Sequence, residues 1–553
     1  MPTLSHLSTA TGFAPVTDSF AADRLPPPAL WPERCFDLPH LQYPPRLNCV
    51  AELLDHATGT TGERLALCSE QQAWTYAELR TQVDRIAHVL RGPLGLVSGN
   101  RVLLRGTNTP MMAACVLAVI KAGCIAVPTM PLLRARELGA IAAKAQVNAV
   151  LCAQSLSAEL DAAAFDAAGA PALRAKTLFF GGADGQLEAL MAAQPAHFEA
   201  ADTARDDICL IGFTSGTTGV PKGTLHCHRD LLAICDCFPR SVLQARADDV
   251  FIGTPPLAFT FGLGGLLLFP LRVGAAAVLL ETFTPQSLLD AIARHRATVC
   301  FTAPTFYRQM APLADRRQLA SLRATVSAGE MLPTATREAW RQASGLEMID
   351  GIGSTEMLHI FIAAAGEQVR AGAIGKPIPG YQACVLDGAG RPLGPGVIGR
   401  LAVKGPTGCR YLDDPRQQDV VLNGWNLTGD ACEMDADGYF YYRSRTDDMI
   451  VSAGYNIAGP EVEDALLRHP AVAECGVTGE PDAARGQIVE AHVVLKEGIT
   501  PSPQLVLQLQ DFVKGQIAPY KYPRAIRFLS ALPRTETGKL QRFKLQRFKL
   551  RKG

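Results

Sequence analysis

Between Thr75 and Phe301 short apolar runs alternate with segments of helical periodicity, and this alternation restricts the fold more than any other feature of the chain. Thr75-Tyr-Ala-Glu78 has the form of a capping box, and Leu79, Val83, Ile86 and Leu90 follow at helical spacing. Val102–Leu104 reads as a strand. Met111–Ala122 reads as a helix that ends near Gly123, and Ile125–Val127 as the next strand. The pattern repeats through Leu231–Phe238, Ala276–Leu280, Leu288–His295 and Val299–Phe301. Strands separated by helices build βαβ units and a largely parallel sheet. With 553 residues, more than one core is expected.

The pattern changes near residue 380, where Gly380, Gly388, Gly390, Pro392, Gly394-Pro395-Gly396 and Gly399 punctuate short apolar runs. That predicts antiparallel strands joined by tight turns. Charged Arg443-Ser-Arg-Thr-Asp-Asp448 then marks a boundary. Beyond it, Pro460, Glu461 and Glu463 open a helix, a strand is predicted at Ala491–Leu495, and another helix around Gln504–Val513. The fold class is α/β: a large N-terminal domain, residues 1–446, with doubly wound βα sheets and a small β-barrel-like subdomain, followed by a small mobile α+β domain, residues 447–553. Residues 1–45 are Pro-rich and read as an extended lead-in. Gln541-Arg-Phe-Lys-Leu545 is repeated directly as Gln546–Leu550, too short for a structural repeat, and the second copy reads as a solvated basic tail.

The chemistry concentrates in Thr214-Ser-Gly-Thr-Thr-Gly-Val-Pro-Lys-Gly223, directly after the apolar run Ile208–Phe213. Glycines let backbone N–H groups approach a polyanion, the hydroxyls donate further hydrogen bonds, and Lys222 adds a cation. A loop at a strand end is where α/β folds bind ligands. It is not a P-loop: Pro221 precedes the lysine and Gly223 follows it, so the hydroxyl that holds magnesium in that motif is missing. Read alone, the run would pass for a polar linker; its strand context and the motifs downstream reverse that reading.

Lys plus Arg and Asp plus Glu balance at 53 each, which argues against nucleic acid or an anionic membrane as partner. Apolar windows at Met111–Val127 and Leu257–Leu271 are interrupted by Lys121 or by glycines and proline, so no membrane span is read. The N-terminus lacks the basic start and apolar core of a signal peptide, and cytoplasmic localisation is expected. The fifteen cysteines are scattered. Cys227, Cys235 and Cys237 fall near His226 and His228 without paired C-x-x-C spacing, so reduced thiols are expected over a zinc site.

The phosphate-type loop and four further motifs in order resemble the adenylate-forming superfamily of acyl-CoA synthetases, adenylation domains and luciferases, over residues 70–545. Gly351-Ile-Gly-Ser-Thr-Glu356 resembles the adenine-contacting motif with its metal-binding glutamate, Thr428-Gly-Asp430 the ribose motif, Arg445-Thr-Asp-Asp448 the interdomain hinge, and Pro533-Arg-Thr-Glu-Thr-Gly-Lys539 the loop with the catalytic lysine. The resemblance implies that Thr214, Ser215, Gly216, Thr217, Thr218 and Gly219 close over the β- and γ-phosphates, with Lys222 in support. It implies Gly351, Gly353, Ser354 and Thr355 at the nucleotide, Thr217 and Glu356 around Mg2+, Asp430 and Arg445 on the ribose, and Lys539 as catalytic residue between carboxylate and α-phosphate. Asp447 would be the hinge, and Gly454 would line the path of CoA. Ser444 and Val451-Ser-Ala-Gly454 depart from the usual residues without removing this function. A first-turn helical carboxylate is the alternative reading of Glu356.

Within the superfamily the chain resembles the benzoate-CoA ligase group through Asp350–Phe361 and Thr224-Leu-His226, and taken as a whole it is most similar to 2-aminobenzoate (anthranilate)-CoA ligases. Phe259, Thr260, Phe261 and Gly262, with Gly329, Ile352 and His359, would line a flat slot for the ring; ordinary core is the alternative reading of Phe259 and Phe261, and the CoA channel or the core that of His359. The implied reaction joins an aromatic acid to AMP and then to CoA, with ATP, Mg2+ and CoA taking part. Three alternatives stand beside it: a medium-chain aliphatic acid, loading of a separate carrier-protein thiol, and a catalytically dead nucleotide-binding regulator. Retention of Lys539, Asp430 and Glu356 together argues against the last. Amino-acid activation is disfavoured because no Asp occurs between Thr254 and Leu271. Monomer and homodimer both remain open.

Overall fold

The computed structural model describes residues 16–55, 61–162, 170–182, 185–215, 221–446, 448–452, 455–482, 485–517, 519–534 and 540–547. Two large sheets form the core of the N-terminal part. One has six strands in the order Thr177–Phe180, Ala149–Ala153, Arg101–Arg105, Ile125–Thr129, Ile208–Ser215 and Pro221–Cys227; the first five run parallel and the last returns antiparallel. The other has nine strands, with a parallel centre from Ile349–Gly353 through Ala324–Ala328, Val299–Thr302, Val250–Gly253 and Ala276–Val278 to Leu65–Cys68. Antiparallel strands close both of its edges. The predicted α/β architecture is what the chain adopts.

Local rules explain why these elements form. The helix Tyr76–Arg91 starts at the capping box: Glu78 N donates to Thr75 Oγ1 (3.2 Å), and Thr75 N donates to Glu78 Oε2 (2.8 Å). The helix Pro110–Lys121 is capped by Thr109 and is buried on nearly every side, as its uninterrupted apolar sequence demands. Lys121, at the end of that helix, is fully buried and held by Asp84 (2.6 Å) and Asp55 (2.8 Å). A lysine buried so deeply is tolerable only because its ammonium is paired.

The Gly- and Pro-punctuated region is a five-stranded antiparallel sheet, built on Gln382–Leu386, Gly399–Lys404, Trp425–Met434 and Phe440–Arg445 with the short strand Val421–Leu422. The smaller C-terminal domain packs the helices Gly459–Leu467 and Pro503–Gln516 on another five-stranded sheet. Among the described residues its apolar core draws on the stretch between Ile450 and Phe528 and is separate from the cores of the large part. The first copy of the C-terminal repeat enters the helix Arg542–Arg547, where Leu545 is buried. Among the described residues no helix is long and apolar enough to cross a membrane.

The cysteine reading is refined by the fold. Among the described residues, the grouping with metal-ligand proximity is Cys49, Cys209 and His228, and Cys235 and Cys237 take no part in it. Two residues apart on the helix His228–Phe238, they project in different directions. All the described cysteines are free.

Candidate active site

Four distant stretches meet around a cavity of about 250 Å3. Lys222 enters from the strand Pro221–Cys227, in which the phosphate-type run ends, Ser354 and Glu356 from the turn after Ile349–Gly353, Tyr411 from a loop, and Thr428, Gly429 and Arg445 from the antiparallel sheet. Gly212 makes the first approach possible: a Cβ there would stand 2.9 Å from Thr355 Cγ2. His226 fixes the same junction, its Nε2 lying 2.9 Å from the Thr355 carbonyl, which also accepts from Leu358 N (3.1 Å). Donating that bond requires the Nε2–H tautomer. Burial, reinforced by the cations Arg410 and Arg34, pushes the His226 pKa down to about 3, so the ring is neutral.

Glu356 sits in a turn, not in the first turn of a helix. Leu358 has a φ of 67°, a left-handed conformation that a branched side chain adopts only when its surroundings impose it, and it breaks the chain between Glu356 and His359. Glu356 Oε1 accepts a 2.6 Å hydrogen bond from the Tyr411 hydroxyl, and Lys222 Nζ lies 3.4 Å from that hydroxyl. Burial, followed by the Glu356 charge, raises the Tyr411 pKa far above the phenol range, so Tyr411 remains a donor. Tyr411 was missed in the sequence; it lies 55 residues from its partner and no spacing rule joins them.

Asp430 and Arg445 face each other across paired strands, with Arg445 Nη1 3.0 Å from Asp430 Oδ1. Gly429, at φ 76°, leaves the room the guanidinium occupies. Burial raises the Asp430 pKa, and Arg445 opposes that shift.

On the other side of Leu358 the surroundings are apolar. His359 is 3% exposed, and among the described residues neither ring nitrogen makes a hydrogen bond of normal geometry; the Phe261 backbone, which pulls weakly on the ring, is its one polar influence of note. Its ring centroid lies 4.5 Å from that of Phe269, 5.7 Å from Phe261, 5.8 Å from Phe238 and 6.5 Å from Phe301. Gly264 admits it, since a Cβ there would fall 2.5 Å from His359 Cδ2. Burial pushes the His359 pKa down to about 3, so its ring is neutral too. Phe259, Thr260 and Phe261 are partly buried at the start of the helix Thr260–Leu263, with Gly262 buried behind them. Ile352 lies on the strand that leads to Glu356, and Gly329 adopts a φ of 90° after the strand Ala324–Ala328.

Thr214 and Ser215 end the strand Ile208–Ser215. Gly216, Thr217, Thr218, Gly219, Asp447, Gly454 and Lys539 lie outside the described residues. Gly351 and Gly353 lie on the strand Ile349–Gly353, where Ile360 and the His359 carbonyl pack against them closely enough to crowd any Cβ.

Residues 54–410 match the family described as AMP-binding enzyme, and residues 461–539 match the AMP-binding enzyme C-terminal domain. The benzoate–CoA ligase of Thauera aromatica is 35% identical over 513 residues, covering 92% of this chain and 97% of that protein. Among solved structures, the anthranilate CoA ligase AuaEII in complex with anthranoyl-AMP superposes with a TM-score of 0.86 at 33% identity, covering 92% of this chain and 98% of that one. A benzoate CoA ligase from Burkholderia xenovorans LB400 gives 0.83 at 32% identity, covering 90% and 100%.

Proposed function

The chain belongs to the AMP-binding enzyme family, as an AMP-forming acid–CoA ligase that uses ATP, Mg2+ and CoA, and from that premise we propose that its acid is aromatic, with 2-aminobenzoate preferred over benzoate. The observation that carries the preference is His359, a neutral imidazole inside a wall of phenyl rings, with no hydrogen bond of normal geometry to either nitrogen among the described residues and only a weak pull from the Phe261 backbone. A planar acid fits such a wall, and an amino group ortho to its carboxylate would donate to the imidazole nitrogen that carries no proton. Without a polar ligand that nitrogen remains a buried acceptor with nothing to accept.

In the first half-reaction an oxygen of the carboxylate attacks the α-phosphorus of ATP, and the bond to pyrophosphate breaks. In the second, the CoA sulfur attacks the acyl carbon, AMP leaves and the thiol proton is released. Glu356 offers a hard carboxylate oxygen at the cavity wall, which suits Mg2+, and Thr217 would add its hydroxyl. Mg2+ there would offset phosphate charge. Lys222 adds a cation beside the phosphates, and Asp430 with Arg445 takes the ribose hydroxyls. Lys539, from the domain beginning at residue 447, would stand between carboxylate and α-phosphate, and Asp447 would be the pivot that withdraws it before Gly454 lines the path of CoA. The protein acts in the cytoplasm under this reading.

The test is AMP release from ATP, with and without CoA, over benzoate, 2-aminobenzoate, 2-hydroxybenzoate, octanoate and an amino acid. CoA-dependent turnover, fastest with 2-aminobenzoate, is expected. Turnover with octanoate alone would discard the aryl slot. Acid-dependent adenylation without thiol transfer to CoA would favour a carrier-protein acceptor.

A further inference from the structure

The two domains touch through an alternating row of charges. Arg308, on the helix Pro304–Met310 of the large part, lies 3.6 Å from Glu474 of the small domain. Glu474 accepts a 2.6 Å bond from Arg534 of its own domain, and Arg534 reaches back to Glu330 of the large part at 3.6 Å. Glu330 is fixed in turn by Thr305, whose amide and hydroxyl both donate to its Oε2 (3.2 and 2.6 Å). Thr305 and Arg308 are one helical turn apart, so a single helix holds both ends of the row on the large side. The four charged side chains are 15–27% exposed, neither free in solvent nor sealed from it. Close by, Thr334 N donates to the Asp464 carboxylate across the same boundary (2.9 Å).

Two features make this row a latch and not a permanent seam. Among the described residues the apolar core of the small domain shares no member with those of the large part, so no common hydrophobic core there resists separation. Ion pairs at this exposure are modest and screened by salt, so they can set a preferred arrangement without making it irreversible. The row is also placed at the chemistry. Glu330 follows Gly329 of the proposed acid slot, and Arg534 lies five positions before Lys539. The strand bridge Arg534–Leu540 and the bond from Gln541 N to the Pro533 carbonyl (2.9 Å) pin the described residues on either side of 535–539.

We propose that Arg534 is a positioning residue: bridging Glu330 and Glu474, it holds the small domain in the arrangement that forms the adenylate, and the bridge opens for thiol transfer. This rests on the ligase reading above.

The experiment compares Arg534→Ala and Arg534→Lys with the parent enzyme in each half-reaction. Acid-dependent ATP–pyrophosphate exchange reports adenylate formation, and CoA-driven release of AMP from preformed 2-aminobenzoyl-AMP reports thiol transfer. Arg534→Ala is expected to slow exchange about tenfold, a loss within reach of one charge-assisted bridge, while thiol transfer stays within about twofold. Arg534→Lys should restore part of the exchange rate. Raising salt to about 0.5 M should slow exchange in the parent far more than in Arg534→Ala. Equal loss in both half-reactions, or no loss in exchange, overturns the proposal. A readout that needs no turnover runs in parallel: hydrogen exchange of the segment 330–336, which contains the Thr334 amide. It should quicken in Arg534→Ala, and unchanged protection overturns the latch by itself. If the parent enzyme gives no exchange with any acid, the ligase reading falls while hydrogen exchange still decides the latch.

Discussion

Glu356 and His359 are three residues apart, yet they stand in opposite chemical surroundings. Glu356 faces a cavity where its carboxylate is paired with Tyr411, and Arg445 on the same wall is paired with Asp430 across the strands. His359 stands among phenyl rings, with no hydrogen bond of normal geometry at either nitrogen among the described residues. The residue that separates them is Leu358, whose left-handed backbone turns the chain from one wall to the other. A paired wall can exchange its internal bonds for those of a polyanionic ligand at small net cost. An unpaired group in an apolar wall gains most from the one ligand that satisfies it and discriminates against those that do not. The first arrangement suits ATP, which an acid–CoA ligase of this type always requires; the second suits the acid, on which selectivity depends.

The comparison can be strained first on the paired side. Asp430→Asn removes the charge proposed to accept from the ribose and the Asp430 partner of Arg445, so the KM for ATP should rise roughly 10- to 100-fold with the acid preference unchanged. Titration against ATP at saturating acid measures this. A change in acid preference of similar size would mean that the two walls are not independent.

A second test uses protons. His226 and His359 have folded-state pKa values pushed to about 3, well below the ordinary imidazole value. Between pH 6.5 and 3 the unfolded chain therefore binds more protons than the native protein, and stability falls as the pH falls through that window. At about pH 5.5 each ring should cost roughly 1.4 kcal/mol relative to pH 8, and His226→Gln or His359→Leu should each remove one such increment. Denaturant midpoints at the two pH values check this. Equal pH dependence in parent and variants would show that the rings are not held neutral.

The smallest effect is expected at Tyr411. Tyr411→Phe deletes one hydrogen bond to a carboxylate that the cavity still accommodates, and kcat/KM for ATP should fall about threefold. A loss of several hundredfold would give Tyr411 a part in the chemistry itself.

The elements around these walls were legible because local rules made them. The capping box at Thr75 and Glu78, the buried helix Pro110–Lys121 and the strand before the phosphate-type run all follow from nearest-neighbour chemistry. The motif residues Glu356, Asp430 and Arg445 were legible through resemblance, and the fold gathers them with Lys222. What could not be read depends on pairing across the folded chain. The bonds from Tyr411 to Glu356 and from His226 to Thr355 join residues 55 and 129 positions apart. The row from Arg308 to Glu330 is assembled only when two domains meet. The thiols show the same limit: reduced cysteines were legible, but that His228 meets Cys49 and Cys209, which arrive from other parts of the chain, was not.

The most direct test of the account is the ratio of kcat/KM for 2-aminobenzoate to that for benzoate, measured in the parent enzyme and in His359→Leu. Leucine approximates the volume of the imidazole and removes an unpartnered buried polar group, so the variant should fold. The account predicts that the parent prefers 2-aminobenzoate by about tenfold or more and that the ratio in His359→Leu collapses towards unity, mainly through loss on 2-aminobenzoate. A ratio that survives the substitution unchanged would contradict it, because the ring substituent would then be recognised by something other than the unpaired imidazole.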